Sequence, residues 1–335
     1  MLFKNIAVLD ENYQIKENMY VSTAGERIAY IGSEKPRGDF GYEYDGKGKL
    51  LMPGFYNSHA HSPMVLMRGY GENLSLQDWL NKKIFPFEDK LDGNAVYWGT
   101  MLSYAESLRF GIVSSSEMYY VMDDMVRAAK ESKVKANISR AIVNFDDSDV
   151  WKLPSMMEMK RSFEEYHNMC NGRIKMDASI HAEYTSNHLA VEAVAGFARE
   201  HRARMHVHIS ETRSEHEECK QRHGGKTPVM YFSDLGLFDV PATAAHCVWI
   251  EGEDFDILKE KGVTAAANPV SNLKLASGVS NVPKMLDMGI NVAIGTDSTA
   301  SNNSLNFFEE MKVFALASKT WYNDPKAVSP TQALY

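Results

Sequence analysis

Two histidines stand one residue apart in the stretch PGFYNSHAHSPM, residues 53–64. They are His59 and His61, and they close an apolar run that has the length of a β-strand. Residues i and i+2 of a strand face the same side, so both imidazoles can reach the same point. Imidazole nitrogen is a good ligand for Zn²⁺ or Fe²⁺, and this spacing therefore predicts part of a metal site.

Further polar residues end later apolar runs. They are His208 and Glu211 in MHVHISE, His246 in AAHC and Asp297 in IGTD. We predict that His208 and Asp297 are the third and fourth ligands of one divalent ion. His206 faces the same way as His208 but lies deeper in the strand, so we expect it to pack beside a ligand or bond to one.

The rest of the histidines divide by position. His181 ends the run KMDASIH, so that six of the 11 histidines stand at the end of an apolar run. The remaining five lie in helical or loop segments and are expected at the surface: His167, His188, His201, His216 and His223. A lone HxH pair is weak support for a metal, and the joint pattern over four runs makes the prediction specific.

The elements that would position these groups follow an α/β pattern. From Pro53 onward, eight short apolar runs alternate with amphipathic stretches: GFYNS, GIVSSSEM, KANISRAIV, KMDASIH, MHVHIS, TAAHCV, VTAAANP and NVAIGTD. Strand then helix, repeated eight times, predicts a (β/α)₈ TIM barrel. Catalytic groups of such barrels lie at the C-terminal ends of the strands, where the histidines and Asp297 stand.

The chain divides into two predicted domains. Residues 1–52 hold short strand-like runs broken by Gly, Asn and Asp, which predicts the N-terminal half of a small β-sandwich-like domain. Residues 53–335 are predicted to form the barrel that holds the metal site.

Composition narrows the partners. Net charge is −8, from 36 Lys+Arg against 44 Asp+Glu, which argues against a nucleic-acid partner. No apolar stretch is long enough to span a membrane, and the N-terminus has no secretory signal pattern. Three scattered cysteines fit a reducing compartment, so the cytoplasm is expected. A small-molecule substrate is the expected partner, and a homodimer, the commonest assembly, stays open.

Taken in order, several motifs resemble one family. MPGFYNSHAHSPMVLMRG, LSLQDWL, FPFEDKL, HVHISET, AAHCV, NPVSNLKLASG and GTDSTASNNSLNFFEEM resemble blocks of the amidohydrolase superfamily. The similarity is greatest to its deaminase and chlorohydrolase branch, and within that branch to the 5-methylthioadenosine/S-adenosylhomocysteine deaminases. It runs from about residue 2 to about residue 318.

The resemblance implies a role for each matching residue. His59, His61, His208 and Asp297 match the metal ligands of the mononuclear enzymes. Glu211 matches the proton shuttle, and His246 matches the histidine that bonds the reacting water or transition state. Positions that contact substrate are matched by Trp79, Glu88, His181 and Arg140, the last at the ribose or amino-acid tail.

Some positions depart from the family pattern. Ala267 and Ser298 replace a histidine and a glycine near the pocket, and Lys152 is the nearest candidate for a second tail-binding cation. The family's chain continues through more helix into the small β-domain, whereas this sequence stops at SPTQALY. We therefore expect that the C-terminal part of the small domain is missing.

These groups predict metal-assisted hydrolysis of an amino-substituted ring. Glu211 would protonate a ring nitrogen, Asp297 would ligate the ion and accept a proton from water, and His246 would stabilise charge on the attacking oxygen. One divalent metal is expected, with zinc preferred over iron. The resemblance implies S-adenosylhomocysteine, 5′-methylthioadenosine or adenosine as the substrate.

Alternatives to these predictions stay open. One is deamination of guanine or another aminoheterocycle, or a triazine chlorohydrolase-like reaction, and another is a barrel scaffold that has lost turnover. Glu211 could instead cap the helix that follows it. His181 could bond only to backbone, and Arg140 could form a salt bridge at a strand end.

Overall fold

The first 54 residues form one mixed β-sheet in the computed structural model, which describes residues 1–334. Its strands are β1 (Leu2–Leu9), β2 (Ile15–Ala24), β3 (Arg27–Gly32), β4 (Glu43–Asp45) and β5 (Leu50–Leu51). The antiparallel order β3-β2-β1 continues into β4, and both β4 and β5 pair parallel to β1. Ile6, Val8 and Val21 are the buried centre of this unit. The predicted short strands are confirmed, as a single sheet within residues 1–334.

Eight parallel strands form the second unit, Phe55–Tyr335. They are β6 (Phe55–Ala60), β7 (Ile112–Tyr119), β8 (Lys135–Ile142), β9 (Ile174–Ile180), β10 (Met205–Ile209), β11 (Ala242–His246), β12 (Thr264–Ala267) and β13 (Val292–Ile294). Each pairs with the next in chain order. The predicted barrel and its eight runs are confirmed, since every run overlaps one of these strands. Several runs lack alternation because parallel strands are covered on both faces.

Helices follow the strands and cover the barrel. They are α1 (Leu76–Trp79), α2 (Phe85–Glu88), α3 (Gly93–Arg109), α4 (Met122–Ser132), α5 (Pro154–Tyr166), α6 (Met169–Gly172), α7 (His188–His201), α8 (Arg213–Arg222), α9 (Pro228–Asp234), α10 (Asp254–Glu260), α11 (Pro269–Lys274), α12 (Val282–Asp287), α13 (Thr299–Asn302), α14 (Phe307–Trp321) and α15 (Pro330–Leu334). Side chains cap several of them, such as Asn187, which accepts from Ala190 N at the start of α7. Short 3₁₀ segments lie at Ser62–Met67, Val150–Lys152 and Glu183–Thr185, and a π-helical turn at Leu80–Ile84.

The barrel closes between its first and last strands at the predicted site. Asp297 N donates to His59 O (2.9 Å), and Ala60 forms an isolated parallel bridge with Asp297. Gly295, just before this point, lies against the first strand. A Cβ there would come within 2.9 Å of His59 N, so only glycine allows this close approach. The closure therefore fixes the distance between two of the predicted ligands.

Candidate active site

Four side chains from three strand ends meet at the mouth of the barrel. Ligand atoms of His59, His61 and His208 lie within 4.8 Å of one another, and those of His59, His246 and Asp297 form a second such group. His59 and His61 come from the first barrel strand, as their i, i+2 spacing requires. The structure thus brings together all of the residues predicted as metal ligands.

Hydrogen bonds fix the tautomers of His61 and His208. His61 Nδ1 lies 2.5 Å from Met118 O, and His208 Nδ1 lies 2.8 Å from His181 O. A carbonyl oxygen only accepts, so each Nδ1 carries the proton of the neutral ring. Each Nε2 therefore presents a lone pair, and these two nitrogens are 3.4 Å apart.

His59 is oriented by a histidine below it. His59 Nδ1 lies 2.9 Å from Nε2 of the buried His206, which therefore acts as its hydrogen-bond partner. His59 Nε2 is buried without a hydrogen-bond partner and faces Asp297 Oδ1 at 3.6 Å. Burial lowers the pKa of His59 to about 3 and that of His208 well below its ordinary value, which keeps both imidazoles in the neutral form that binds metals.

Asp297 presents one oxygen to the histidines while hydroxyl groups hold the other. Its Oδ2 accepts from Ser271 Oγ (2.6 Å) and Ser301 Oγ (3.2 Å). Its Oδ1 lies 3.2 Å from His61 Nε2 and accepts from Ser298 N (2.8 Å). Asp297 has a positive φ of 58°, a strained conformation of the kind that clusters at functional sites.

This donor set fits a divalent ion. Three imidazole lone pairs and one carboxylate oxygen point at a common place, and the buried His59 Nε2 is left unpartnered by the protein. Nitrogen and carboxylate ligands suit Zn²⁺ and Fe²⁺ better than Mg²⁺ or Ca²⁺. The structure therefore contains a cluster of His and Asp that can hold a transition-metal ion.

Glu211 is buried beside the cluster. Burial raises the pKa of Glu211 to about 8, and the charge of Asp297 adds to this shift. A carboxyl group with this pKa carries a proton in most molecules at neutral pH. Its Oε2 lies 3.7 Å from His246 Nε2. Glu211 is thus placed to donate a proton at the mouth of the barrel.

The helix after Glu211 is capped by other residues. Thr212 is the N-cap of α8, and its Oγ1 accepts from Glu215 N (3.2 Å). The carboxylate of Glu215 accepts from Ser210 N (2.9 Å) and Glu211 N (2.7 Å). The Glu211 side chain is consequently not used as a cap, and it lines the central cavity.

His246 ends β11 in a left-handed conformation, with a φ of 73°. Its Nδ1 lies between two asparagine amides, 2.9 Å from Asn272 Oδ1 and 3.2 Å from Asn268 Nδ2. These two contacts suit opposite tautomers of the ring, since an amide oxygen accepts a hydrogen bond and an amide nitrogen donates one. The Nε2 atom faces Glu211 Oε2 across 3.7 Å. Burial lowers the pKa of His246, which favours the neutral ring.

A cavity opens above the cluster. Its lining includes Trp79, Glu88 and His181, three of the four predicted substrate contacts. Burial raises the pKa of Glu88 to about 7, against the smaller opposing effect of the Tyr119 hydroxyl. His181 Nδ1 lies 3.1 Å from Thr185 Oγ1, so its Nε2 is left for the cavity.

Arg140, the fourth predicted contact, lies outside the cavity lining. Its Nε donates to Glu158 Oε2 (2.7 Å) and its Nη1 to Ala141 O (2.7 Å). Its guanidinium lies 4.7 Å from the ring centroid of Tyr120. The structure therefore shows the salt bridge that was the alternative for this residue.

Comparison with known proteins decides the family. The sequence model of the family described as "Amidohydrolase family" matches residues 50–335 of this chain. A 5-methylthioadenosine/S-adenosylhomocysteine deaminase of Thermoanaerobacter pseudethanolicus is 40% identical over 336 residues, which cover 100% of this chain and 78% of the relative. The chain belongs to the amidohydrolase family.

Two other relatives of this amidohydrolase are informative. A 5′-deoxyadenosine deaminase of Methanothermobacter thermautotrophicus is 38% identical over 302 residues, covering 90% of this chain and 70% of the relative. The crystal structure of an adenosine deaminase from Xanthomonas campestris with bound zinc is 28% identical, with a TM-score of 0.91. That alignment covers 99% of this chain and 77% of the solved one.

Glu117 is a site residue of the amidohydrolase that sequence reasoning missed. It is fully buried on β7, where Oε2 accepts from Ser62 N (2.9 Å) and Oε1 from Ser62 Oγ (2.6 Å) and Ser115 Oγ (2.6 Å). Ser62 follows His61 directly, so Glu117 holds the chain just beyond a predicted ligand. A glutamate within the buried run GIVSSSEM was the available signal.

One prediction about the remaining histidines was wrong. His216 is buried, and its Nδ1 lies 3.1 Å from Ser210 Oγ. It lies on α8, one turn after Thr212, and faces Ser210, which directly follows β10. The helical position suggested exposure, but the hydroxyl partner allows the ring to be buried. Only His188 of the five is exposed.

No helix within residues 1–334 has the length and apolar character that a membrane span requires.

Proposed function

We propose that this amidohydrolase removes the amino group from the purine ring of an adenine nucleoside by hydrolysis, releasing ammonia. The observation that carries the proposal is the convergence of His59, His61, His208 and Asp297 beside the buried Glu211. Relatives that are 40% and 38% identical have names of adenine-nucleoside deaminases, which supports this substrate class.

Zinc is the proposed ion. The ligand set of three imidazoles and one carboxylate suits it, and the solved relative from Xanthomonas campestris holds zinc. An ion bound by these ligands supplies Lewis-acid activation of water at neutral pH. His206 and the backbone oxygens of Met118 and His181 fix the three rings in the orientation that this requires.

Glu211 supplies the first proton. Because its carboxyl group is protonated at neutral pH, it donates to the ring nitrogen next to the carbon that bears the amino group. That carbon then accepts the oxygen of water, and a new C–O bond forms. Asp297 takes one proton of the water through the oxygen that faces the cluster, and His246 forms a hydrogen bond through Nε2 to the attacking oxygen.

The amine leaves as ammonia. The proton taken by Asp297 passes to the amino group, and the C–N bond breaks. The hydroxyl proton of the intermediate returns to Glu211, so the ring keeps one new proton and gains a carbonyl. Water thereby supplies both protons and the oxygen of the products, and the protein returns to its starting state.

The cavity wall holds the rest of the substrate. Trp79 is buried on α1 and offers a flat apolar surface, and His181 offers Nε2. Glu88, on α2, lines the cavity, and we assign its carboxyl group to the hydroxyl groups of a ribose. The proposed setting is the cytoplasm, which the three free cysteines support.

Ammonia release from a panel of substrates tests the proposal. The panel contains adenosine, 5′-deoxyadenosine, 5′-methylthioadenosine, guanine, cytosine, a pterin and a chlorotriazine. We expect adenine nucleosides to exceed every other class in kcat/KM by at least about tenfold, the discrimination that a few specific contacts supply. Faster release from guanine or chloride release from the triazine would replace the proposed substrate class, and no turnover at all would indicate a scaffold.

A further inference from the structure

A further group of metal-binding side chains lies outside the cavity at the barrel mouth. It consists of Glu183, Cys219 and His223, whose ligand atoms all lie within 4.8 Å of one another. None of these three residues lines the cavity, and the proposed deamination uses none of them. We call these three residues the Cys219 cluster.

Two neighbouring elements bring the Cys219 cluster together. Cys219 lies in the last turn of α8, and His223 follows the last residue of that helix. His223 N donates to Cys219 O (2.9 Å), so the helical spacing continues to His223 and both side chains lie on one face. Glu183 begins the 3₁₀ segment after β9, and its Oε1 lies 2.7 Å from His223 Nε2. A sulfur, a nitrogen and an oxygen thus meet at one place.

This mixture of ligand atoms suits zinc. Zn²⁺ binds thiolate, imidazole and carboxylate, whereas Mg²⁺ and Ca²⁺ prefer oxygen ligands alone. Cys219 and Glu183 are buried, which keeps competing water away from two of the ligands. The side chain of His223 is 26% exposed, so an ion can reach the cluster from solvent past the imidazole.

Surrounding side chains hold two of the ligands in place. The guanidinium of Arg222 binds Glu183 through Oε2 and also pairs with Glu218 (3.3 Å), so Oε1 of Glu183 is the oxygen that faces His223. The ring of Tyr231 stacks on His223, with 3.9 Å between the ring centroids. Contacts of this kind orient the ligands of metal sites in proteins.

An ion must displace protons to bind here. The carboxylate of Glu183 only accepts, so His223 Nε2 carries the proton between them. Burial raises the pKa of the Cys219 thiol, and the charge of Glu183 adds to this shift. On binding, the thiol releases its proton to solvent, and the Nε2 proton is displaced to Nδ1 of the same ring. This cost makes the Cys219 cluster weaker than the cluster at the barrel mouth, so zinc fills it only when supplied in excess.

We propose that the Cys219 cluster is a second zinc site, of lower affinity than the metal site at the barrel mouth. Solvent supplies the remaining ligand on the side where His223 is exposed. The proposal goes beyond the deaminase function and does not depend on it, since metal binding and not turnover reports on it.

Cobalt added to the purified protein tests the proposal. Co²⁺ takes the place of Zn²⁺ in such sites, and its bond to a thiolate gives a charge-transfer absorption band in the near ultraviolet. The cluster at the barrel mouth contains no cysteine, so this band reports only on a thiolate ligand elsewhere. We expect a band that saturates with one bound ion, that added zinc removes, and that is absent in Cys219→Ser.

Two further kinds of variant make the test specific. His223→Phe keeps a ring against Tyr231 but removes the nitrogen ligand, and it should weaken cobalt binding by about tenfold or more. Cys170→Ser and Cys247→Ser are the controls, because these are the other free cysteines, and both should keep the band. Circular dichroism on each variant confirms that it is folded.

Three results would overturn the proposal. One is a wild-type protein without a thiolate band at any cobalt concentration, and another is a band that Cys219→Ser retains. The third is wild-type cobalt affinity in His223→Phe, which would mean that Cys219 binds the ion without the cluster. Failure to release ammonia from any nucleoside would overturn the proposed function but not this second site.

Discussion

His61 and His208 point their Nε2 atoms at each other across 3.4 Å, and the Nδ1 atom of each bonds a backbone oxygen. Neither Nε2 carries a proton in the neutral ring, so two lone pairs face one another in a buried place. Asp297 Oδ1, 3.2 Å from His61 Nε2, adds negative charge to the same place. Burial lowers the pKa of His61, but the Asp297 carboxylate raises it further, so positive charge is favoured at this place. A metal ion held there would satisfy all three acceptor atoms at once.

Glu211→Gln should lower the rate of deamination and leave metal binding unchanged. Glutamine has the size of the carboxylic acid but cannot donate and regain the proton, so we expect kcat to fall by about 10²–10⁴-fold. Metal content should stay at the wild-type level, because Glu211 lies outside the four predicted ligands. Ammonia release and metal analysis on the same sample measure both.

Glu217→Gln serves as the control for this variant. Glu217 lies on α8 near Glu211 in sequence, but its side chain is half-exposed and pairs with Lys220 (3.6 Å). It should leave both readouts unchanged. Normal turnover of Glu211→Gln would remove Glu211 from the proton transfers.

Glu117→Gln should weaken metal binding. Its carboxylate accepts three hydrogen bonds from Ser62 and Ser115, immediately beyond His61, and an amide can accept at only one of its two heavy atoms. Loss of a group that orients a ligand typically reduces metal affinity by about 10–100-fold. Competition with a chromogenic chelator measures the dissociation constant.

Ser62→Ala should also weaken metal binding, but by less than Glu117→Gln does. It removes one of the hydroxyl donors but keeps the backbone donor at Ser62 N, so its loss of affinity should be smaller than that of Glu117→Gln. Wild-type affinity in Glu117→Gln, with reduced thermal stability alone, would mean that Glu117 supports the fold and not the metal site.

Glu310→Gln should change how stability depends on pH. Burial raises the pKa of Glu310 to about 8, from an ordinary value of 4.5. Between these values the folded chain retains a proton that the unfolded chain releases, so this group contributes stability below pH 4.5 that is lost as pH rises to 8. Glutamine has no such titration. Its amide can accept from only one of the two donors, Asn302 Nδ2 and Val270 N, and this loss is the same at every pH.

Thermal unfolding of the two proteins at pH 5 and pH 8 measures this difference. We expect the melting temperature of Glu310→Gln, relative to wild type, to rise by about 3 °C or more between the two pH values. Other groups also titrate in this range, such as Asp177, because burial raises the pKa of Asp177 to about 6. Their effect on the melting temperature is the same in both proteins, so it cancels when the two melting temperatures are subtracted. A relative melting temperature that is flat or falls with pH would show that Glu310 is ionised in the folded chain.

The barrel and the ligand set could be predicted because their signals are local. Eight apolar runs alternate with helical stretches, and the histidines stand at the ends of those runs. The i, i+2 spacing of His59 and His61 fixes their common direction without any tertiary information. Only the meeting of the first and last strands, where Asp297 N bonds His59 O, needed the closed fold.

The surroundings of the site depend on contacts between distant residues and could not be predicted. Arg140 and Glu158 are 18 residues apart, and nothing in their spacing shows that one neutralises the other. Glu117 bonds to Ser62 across 55 positions. The two contacts of His246 Nδ1 come from Asn272 and Asn268, which lie in the next barrel segment.

Metal content, measured together with turnover, tests the central claim most directly. We predict one equivalent of zinc or iron per wild-type chain, and below about a tenth of an equivalent in His208→Ala and Asp297→Asn, with ammonia release lost in parallel. His188→Ala, which changes an exposed histidine, should retain both. Wild-type protein that contains no transition metal and still releases ammonia in the presence of a strong chelator would contradict the account.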